Sequence, residues 1–220
     1  TILTKKNISY TPAPIEIKAF TTVEEMIEAG KKAPTIDSKE NSEDILSLKN
    51  TVLYALKGIA AYVDHAAILG YHDTTIYHFI EQALALMLRY DLSLEEWVGV
   101  AMETGKINLT TMELLDKAHH ERYGHPIPTS VPLGAKKGKA LLVSGHDLKD
   151  LELILEQTEG SGIYVYTHGE MLPTHGYPGL KKYEHFFGHY GTAWQNQHKE
   201  FTAFPGAIIM TTNCIQQPRE

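Results

Sequence analysis

Cysteine is nearly missing from this chain of 220 residues. Cys214 is the single one, so no internal disulfide forms, and the scarcity fits a reducing cytoplasm. Basic residues are outnumbered: 20 Lys and Arg face 27 Asp and Glu, for a formal net charge of −7. That balance argues against the dense cationic surface a nucleic-acid backbone requires. No run of about 18 apolar residues occurs, so no membrane span is expected, and no signal peptide is visible. Neither GxGxxG nor GxxxxGK[ST] is present, which leaves a nucleotide site without support. Residue one is Thr1 rather than Met, and Gln216–Glu220 follows directly on a strand that a parallel sheet would place centrally. The chain is therefore expected to be a piece of a longer protein, loss of an initiator Met being the plainer alternative. What is abundant is ordinary globular material: 43% hydrophobic and 21% charged residues, enough for a packed core.

The first 128 residues read as a helical bundle segment. Residues 1–20 carry Pro12 and Pro14 and look extended. Thr22-Val23-Glu24-Glu25 has the form of a capping box and opens a short helix ending near Gly30. Lys31–Asn41 is a polar loop. From Ser42 to about Leu69, Ile45, Leu48, Val52, Leu56, Ile59, Val63 and Ala67 recur at helical steps. A second helix is expected over Thr75–Tyr90, with Ile76, Phe79, Ile80, Leu84, Met87 and Leu88 inward. A third starts at the box Ser93-Leu94-Glu95-Glu96 and stops at Gly105, and a fourth covers about Leu109–Arg122. Antiparallel helices on short loops make a bundle.

His125-Pro126-Ile127-Pro128-Thr129 reads as a linker, after which the period changes. Residues 129–220 read as a Rossmann-like α/β domain with a parallel sheet, incomplete as it stands. Ala140-Leu141-Leu142-Val143 is a continuous apolar run, as in a strand buried on both faces. Asp147–Gln157 is an amphipathic helix and Ile163-Tyr164-Val165-Tyr166 the next strand, together a βαβ unit. His189–Phe204 reads as mostly helical and Ala207-Ile208-Ile209-Met210 as another strand. Trp97 and Trp194 are expected to pack in the interior.

Three strand-like runs each lead to a residue able to hold a metal: Lys139–Ser144 to His146, Ile163–Thr167 to Glu170, and Ala207–Thr212 to Cys214. The carboxyl ends of parallel strands share one edge, where such sheets build their sites. Nitrogen, carboxylate and thiolate are thus expected to converge, and a thiolate favours zinc, copper or iron–sulfur chemistry. His168 and His175 compete as ligands or support the site from behind; spacing does not choose between them. Glu170 also reads as a general acid or a solvated loop carboxylate, and Cys214 as inert packing. The remaining histidines, including His65, His72, His78, His119, His120, His185, His189 and His198, have ordinary readings in or beside helices. On spacing alone the trio is a mixed-ligand transition-metal site, and zinc with a water is one filling of it.

Longer motifs carry a resemblance. Val143-Ser144-Gly145-His146-Asp147-Leu148-Lys149-Asp150-Leu151, Leu155-Glu156-Gln157-Thr158-Glu159-Gly160, Tyr164-Val165-Tyr166-Thr167-His168-Gly169-Glu170-Met171-Leu172-Pro173 and Thr211-Thr212-Asn213-Cys214 resemble the central region of the hybrid cluster protein family, also called prismane proteins or hydroxylamine reductases. The likeness continues upstream through Leu92–Leu115 and covers nearly the whole chain. The same fold family includes nickel-containing carbon monoxide dehydrogenase. The resemblance implies a helical domain followed by a Rossmann-like domain, and a hybrid iron–sulfur–oxygen cluster of the 4Fe-2S-2O type at a domain junction. It implies His146, Glu170 and Cys214 as cluster ligands, with His168 and Glu170 placed to assist proton transfer. The activity implied is reduction of hydroxylamine to ammonia and water, with nitric oxide reduction and protein nitrosation also proposed for members, and electrons drawn from a redox donor protein. The family's cubane cysteines and its remaining hybrid-cluster ligands are absent from these residues, so the chain corresponds to a central fragment, expected to need the remainder of the polypeptide and to be inactive alone. Two rival readings stand beside this one: a zinc hydrolase on the same trio, and a metal-free segment that folds or binds a partner.

Overall fold

A hydroxyl three residues ahead of a glutamate starts the first helix. The Thr22 hydroxyl accepts the Glu25 N–H at 3.2 Å, and the Glu25 carboxylate reaches back to the Thr21 N–H at 3.0 Å, satisfying donors that a helix start leaves open. The computed structural model describes residues 20–32 and 42–217, and the chain divides between Leu46 and Ser47 into two units. The first unit holds α1 (Val23–Lys32), slightly longer than the expected stop at Gly30. The extended lead-in before Phe20, the polar loop beyond α1 and the Pro218-Arg219-Glu220 end lie outside the described residues.

Helix α2 (Glu43–Ile68) buries Val52, Leu56, Ile59, Val63 and Ala66 within the second unit. α3 (Thr74–Met87) starts on Asp73, whose carboxylate accepts the Thr75 N–H. Its buried side follows Ile76 and Ala83, with Phe79, Ile80 and Met87 packed alongside. Leu84 and Leu88 were expected inward but are 46% and 78% exposed. The helix stops at Met87, so Leu88 is its C-cap, and the stripe at three- and four-residue steps passes through Ala83 rather than its neighbour.

The two helices expected on either side of Gly105 are one, α4 (Leu94–Tyr123), 30 residues long. It opens on the anticipated capping box, Ser93 and Glu96 each accepting the other's backbone N–H, and ends at Gly124 with φ +85°. A single glycine weakens a helix without breaking it, and the apolar contacts of Ile107 hold the next turns in register. Nothing lies within 4 Å of a Cβ placed on Gly105. Gly105→Ala is therefore expected to raise stability by about 0.5–1 kcal/mol, read as a higher urea midpoint; a lower midpoint would mean the helix is interrupted there.

After a loop, four strands form a wholly parallel sheet: β1 (Lys139–Ser144), β2 (Ile163–Thr167), β3 (Phe186–His189) and β4 (Ala207–Met210), in the order β3-β2-β1-β4. α5 (Leu148–Thr158) links β1 to β2, a 3₁₀ helix (Gly169–Gly176) and the short α6 (Pro178–Lys181) link β2 to β3, and α7 (Gln197–Ala203) precedes β4. Alternate side chains serve opposite faces. Val143 and Val165 pack with Leu151, Leu155, Met171, Leu180, Phe186 and Tyr123, while Leu142 and Tyr166 meet Phe204 with Tyr164 and Phe187 alongside. β3 was not anticipated, and of the stretch His189–Phe204, expected to be mostly helical, only a 3₁₀ turn at Trp194–Asn196 and α7 are helical. Trp97 is buried as expected, but Trp194 is 46% exposed, because it sits on that surface turn.

Within the second unit the bundle is locked to the sheet layer by polar pairs as well as by Tyr123. Arg122 grips the buried Glu152 with Nε and Nη2, and Lys149 adds a third contact at 2.8 Å. His65 lies 3.3 Å from Asp147; that hydrogen bond raises the imidazole's pKa despite partial burial. Burial works to raise Asp147, but the bonds from His65 and the Asp150 N–H outweigh it and its carboxyl is held low. No helix among the described residues is long and apolar enough to cross a membrane.

Candidate metal centre

Strand order decides where a parallel sheet can open a crevice. The chain steps outward from β1 to β2 to β3, then returns to place β4 on the other side of β1. The connection from β1 leads to one side of it and the crossover from β3 to β4 returns to the other, which makes the crevice between the ends of β1 and β4 a topological switch point, the place where open α/β sheets bind ligands. The loop after β1 carries His146 and the loop after β4 carries Cys214. Glu170 follows β2, on β1's other flank.

Adjacent strands run about 4.7–4.9 Å apart, so β2 and β4 are two spacings from each other. Glu170 and Cys214 nevertheless reach the central His146. One ligand atom from each of the three residues lies within 4.8 Å of the other two. The Cys214 sulfur is 3.8 Å from His146 Nδ1 and 3.9 Å from Nε2, and Nε2 is in direct contact with the Glu170 carboxylate. The site is an open rim rather than a closed cage: the Glu170 side chain is 57% exposed and that of His146 27%.

The loops are tied together beneath the trio. The Thr211 hydroxyl donates to the Ser144 carbonyl and accepts the N–H groups of His146 at 3.1 Å and Asp147 at 3.2 Å. The Thr211 N–H also bonds the Ser144 carbonyl, at 2.9 Å. Gly145, with φ +117°, lets the chain pass against Thr211 and Thr212 where no Cβ would fit. Asp147 then caps α5 through the Asp150 N–H at 3.0 Å, so the histidine stands where strand becomes helix.

His146 Nδ1 is 3.3 Å from the Thr212 carbonyl. A carbonyl only accepts, so Nδ1 carries the proton in this pairing and Nε2 presents its lone pair toward Glu170. The Cys214 thiol is pushed up by burial and by the Glu170 carboxylate. That is the wrong direction for a free nucleophile; a coordinated metal is what deprotonates such a thiol. The Thr212 hydroxyl, in the same loop, is buried without a hydrogen-bond partner among the described residues. Mixed N, O and S donors with these features fit a transition-metal centre.

The other candidates sit behind the trio. His168 is fully buried. Its Nε2 donates to the Glu200 carboxylate at 2.8 Å, and Nδ1 pairs with the Ser144 hydroxyl at 3.2 Å. His175 and His189 share the Thr167 hydroxyl at 2.8 and 2.9 Å, and burial holds each imidazole down to about 4. His175 also stacks on Phe186 with centroids 4.0 Å apart. Neither His168 nor His175 joins the trio. Ser144, Glu200 and Thr211 escaped the sequence reading; only Ser144 and Thr211, inside the quoted motifs, left any signal there.

Comparison with known proteins places the chain in a family. The family model described as Prismane/CO dehydrogenase matches residues 2–220. A hydroxylamine reductase of Syntrophobacter fumaroxidans is 63% identical over 199 residues, covering 90% of this chain and 37% of that protein. One from Thermodesulfovibrio yellowstonii is 61% identical, with the same 90% and 37% coverage. One from Methanocella arvoryzae is 57% identical over 212 residues, 96% of this chain and 39% of that protein. The chain thus spans well under half the length of these relatives. A match running through nearly the whole sequence means that the chain belongs to the Prismane/CO dehydrogenase family.

Proposed function

We propose that this chain is the central part of a hydroxylamine reductase, and that His146, Glu170 and Cys214 supply part of the ligand set of an iron–sulfur–oxygen cluster of the 4Fe-2S-2O type. The observation that carries this reading is the meeting of nitrogen, carboxylate and sulfur donors from three adjacent parallel strands within 4.8 Å. Relatives bearing that name, at 57–63% identity, give the reaction. Hydroxylamine takes up a pair of electrons and a pair of protons, its N–O bond breaks, and ammonia and water leave.

The cluster, when bound, supplies electrons and Lewis acidity. The chain's own residues do the rest of the work at this rim. His146 Nε2, the Glu170 carboxylate and the Cys214 sulfur would hold the metal. The Glu170 carboxylate is 57% exposed, so the centre would stay open to solvent on this side, where protons for the leaving oxygen are available. His168, with both nitrogens engaged under the sheet edge, serves by fixing Ser144 and hence the start of the His146 loop. The remaining ligands and those of a conventional cubane would come from the rest of the polypeptide, since this chain offers one cysteine.

The test is metal and sulfide analysis of the anaerobically prepared full-length protein, alongside hydroxylamine-dependent oxidation of a reduced dye. Iron with acid-labile sulfide and turnover is the expected result. Stoichiometric zinc without sulfide or visible absorption would replace this reading with a metal-dependent hydrolase on the same three ligands.

A further inference from the structure

The loop that carries Cys214 is strained where it matters most. Asn213 and Cys214 both have positive φ, +56° and +47°, a region that residues with a Cβ enter at a cost and leave unless neighbours hold them. Two such residues in succession need an outside restraint, and the loop does not supply it internally: the Thr212 hydroxyl has no partner among the described residues.

The restraint comes from Gln197, the first residue of α7, which is 3% exposed. Its side-chain amide spans the cysteine. Nε2 donates to the Cys214 carbonyl, and Oε1 accepts the Gln216 N–H at 3.2 Å. One planar group thereby satisfies an acceptor at the thiol-bearing residue and a donor beyond it, as a neighbouring strand would. Thr211 pins the near side of the loop to β1, so Cys214 is held between two fixed points. A buried glutamine has little reason to be polar unless both ends of its amide are used.

We infer that Gln197 is a positioning residue for the metal centre: it locks the left-handed backbone at Cys214 so that the sulfur faces His146 and Glu170. The inference rests on the reading of Cys214 as a ligand. Gln197 touches no reacting atom; it acts through the cysteine, as outer-shell partners of metal ligands commonly do.

The experiment uses the full-length protein with Gln197→Leu and Gln197→Glu, read by iron content and by the electron paramagnetic resonance spectrum of the centre, with thermal unfolding as the control for fold. Leu removes both hydrogen bonds at similar volume. Glu keeps the acceptor for the Gln216 N–H but sets a second oxygen against the Cys214 carbonyl. Both are expected to alter the spectrum, with kcat for hydroxylamine falling about tenfold or more while KM changes little. An unchanged spectrum and full iron content in folded Gln197→Leu would overturn the inference. Should Leu prevent folding, the same result in Gln197→Glu overturns it. Cys214→Ala run in parallel separates the two failures. If that variant also keeps the native spectrum, it is the ligand assignment that has failed; if it loses the spectrum while both Gln197 variants keep theirs, only the role of Gln197 has.

Discussion

Gly145→Ala is expected to dismantle the junction of the His146 and Cys214 loops. A Cβ at this position would lie 2.2 Å from the Thr211 hydroxyl oxygen, 2.6 Å from the Thr212 carbonyl and 2.7 Å from the Thr212 nitrogen. Two of those atoms are backbone, and Thr211 is anchored to Ser144, His146 and Asp147, so nothing there can yield cheaply. Overpacking of about 1–3 kcal/mol adds to backbone strain of about 1–3 kcal/mol, and the expected loss is about 3 kcal/mol or more in a urea melt, with weaker metal retention. Gly160→Ala is the control. It has φ +70° but nothing within 4 Å of the added atom, so it carries only the conformational cost of about 1–2 kcal/mol. Equal midpoints for the two variants would show that crowding under the site is not what selects glycine at position 145.

Cys214→Ala is expected to have the larger effect on the metal and the smaller on the fold. The cysteine is partly exposed and outside the apolar clusters, so its removal opens no core cavity. It does take away the only soft donor of the trio. Loss of metal affinity is expected to exceed the about 10–100-fold typical of outer-shell substitutions. Because burial and Glu170 keep the free thiol protonated, binding in the wild-type protein releases a proton that the alanine variant cannot. Calorimetry in buffers of different ionisation enthalpy reads that difference, while iron analysis and the spectrum of the centre read the affinity. Retention of the native spectrum by Cys214→Ala would remove the sulfur from the ligand set.

Much of this architecture was legible in the residues, for reasons that also explain the misses. β1 and β2 were visible because a strand covered on both faces leaves an unbroken apolar run. β4 was visible because Ala207-Ile208-Ile209-Met210 is wholly apolar; although expected to be central, it lies at the edge of the described sheet and is only partly covered. The trio was visible because each member follows such a run. β3 was not visible: Phe186-Phe187-Gly188-His189 is four residues long and interrupted by a glycine. Gly188 is there because the Pro132 carbonyl would lie 2.4 Å from its Cβ, a requirement set by a segment far away in the chain. The false break at Gly105 came from the opposite situation, a glycine with no tertiary demand on it. The supports of the site were hidden for a third reason. Ser144 meets His168 across 24 residues, His168 meets Glu200 across 32, and Gln197 meets Cys214 across 17. Hydrogen bonds of that kind leave no periodicity.

The central place of β1 also bears on the order in which the site is assembled. His146 and Glu170 are 24 residues apart and linked by a local βαβ crossover, whereas Cys214 lies 68 residues from His146 and reaches it only after two further connections have closed. Longer closures cost more entropy and slow folding, so the nitrogen–oxygen pair is expected to exist before the sulfur arrives. An ion meeting the nascent chain would encounter a hard, weakly held half-site first, and the thiolate would act as a latch that closes last and sets which metal is kept. Pulsed hydrogen exchange during refolding, with the β1–β2 amides protected ahead of those of β4, is the signature of that sequence of events.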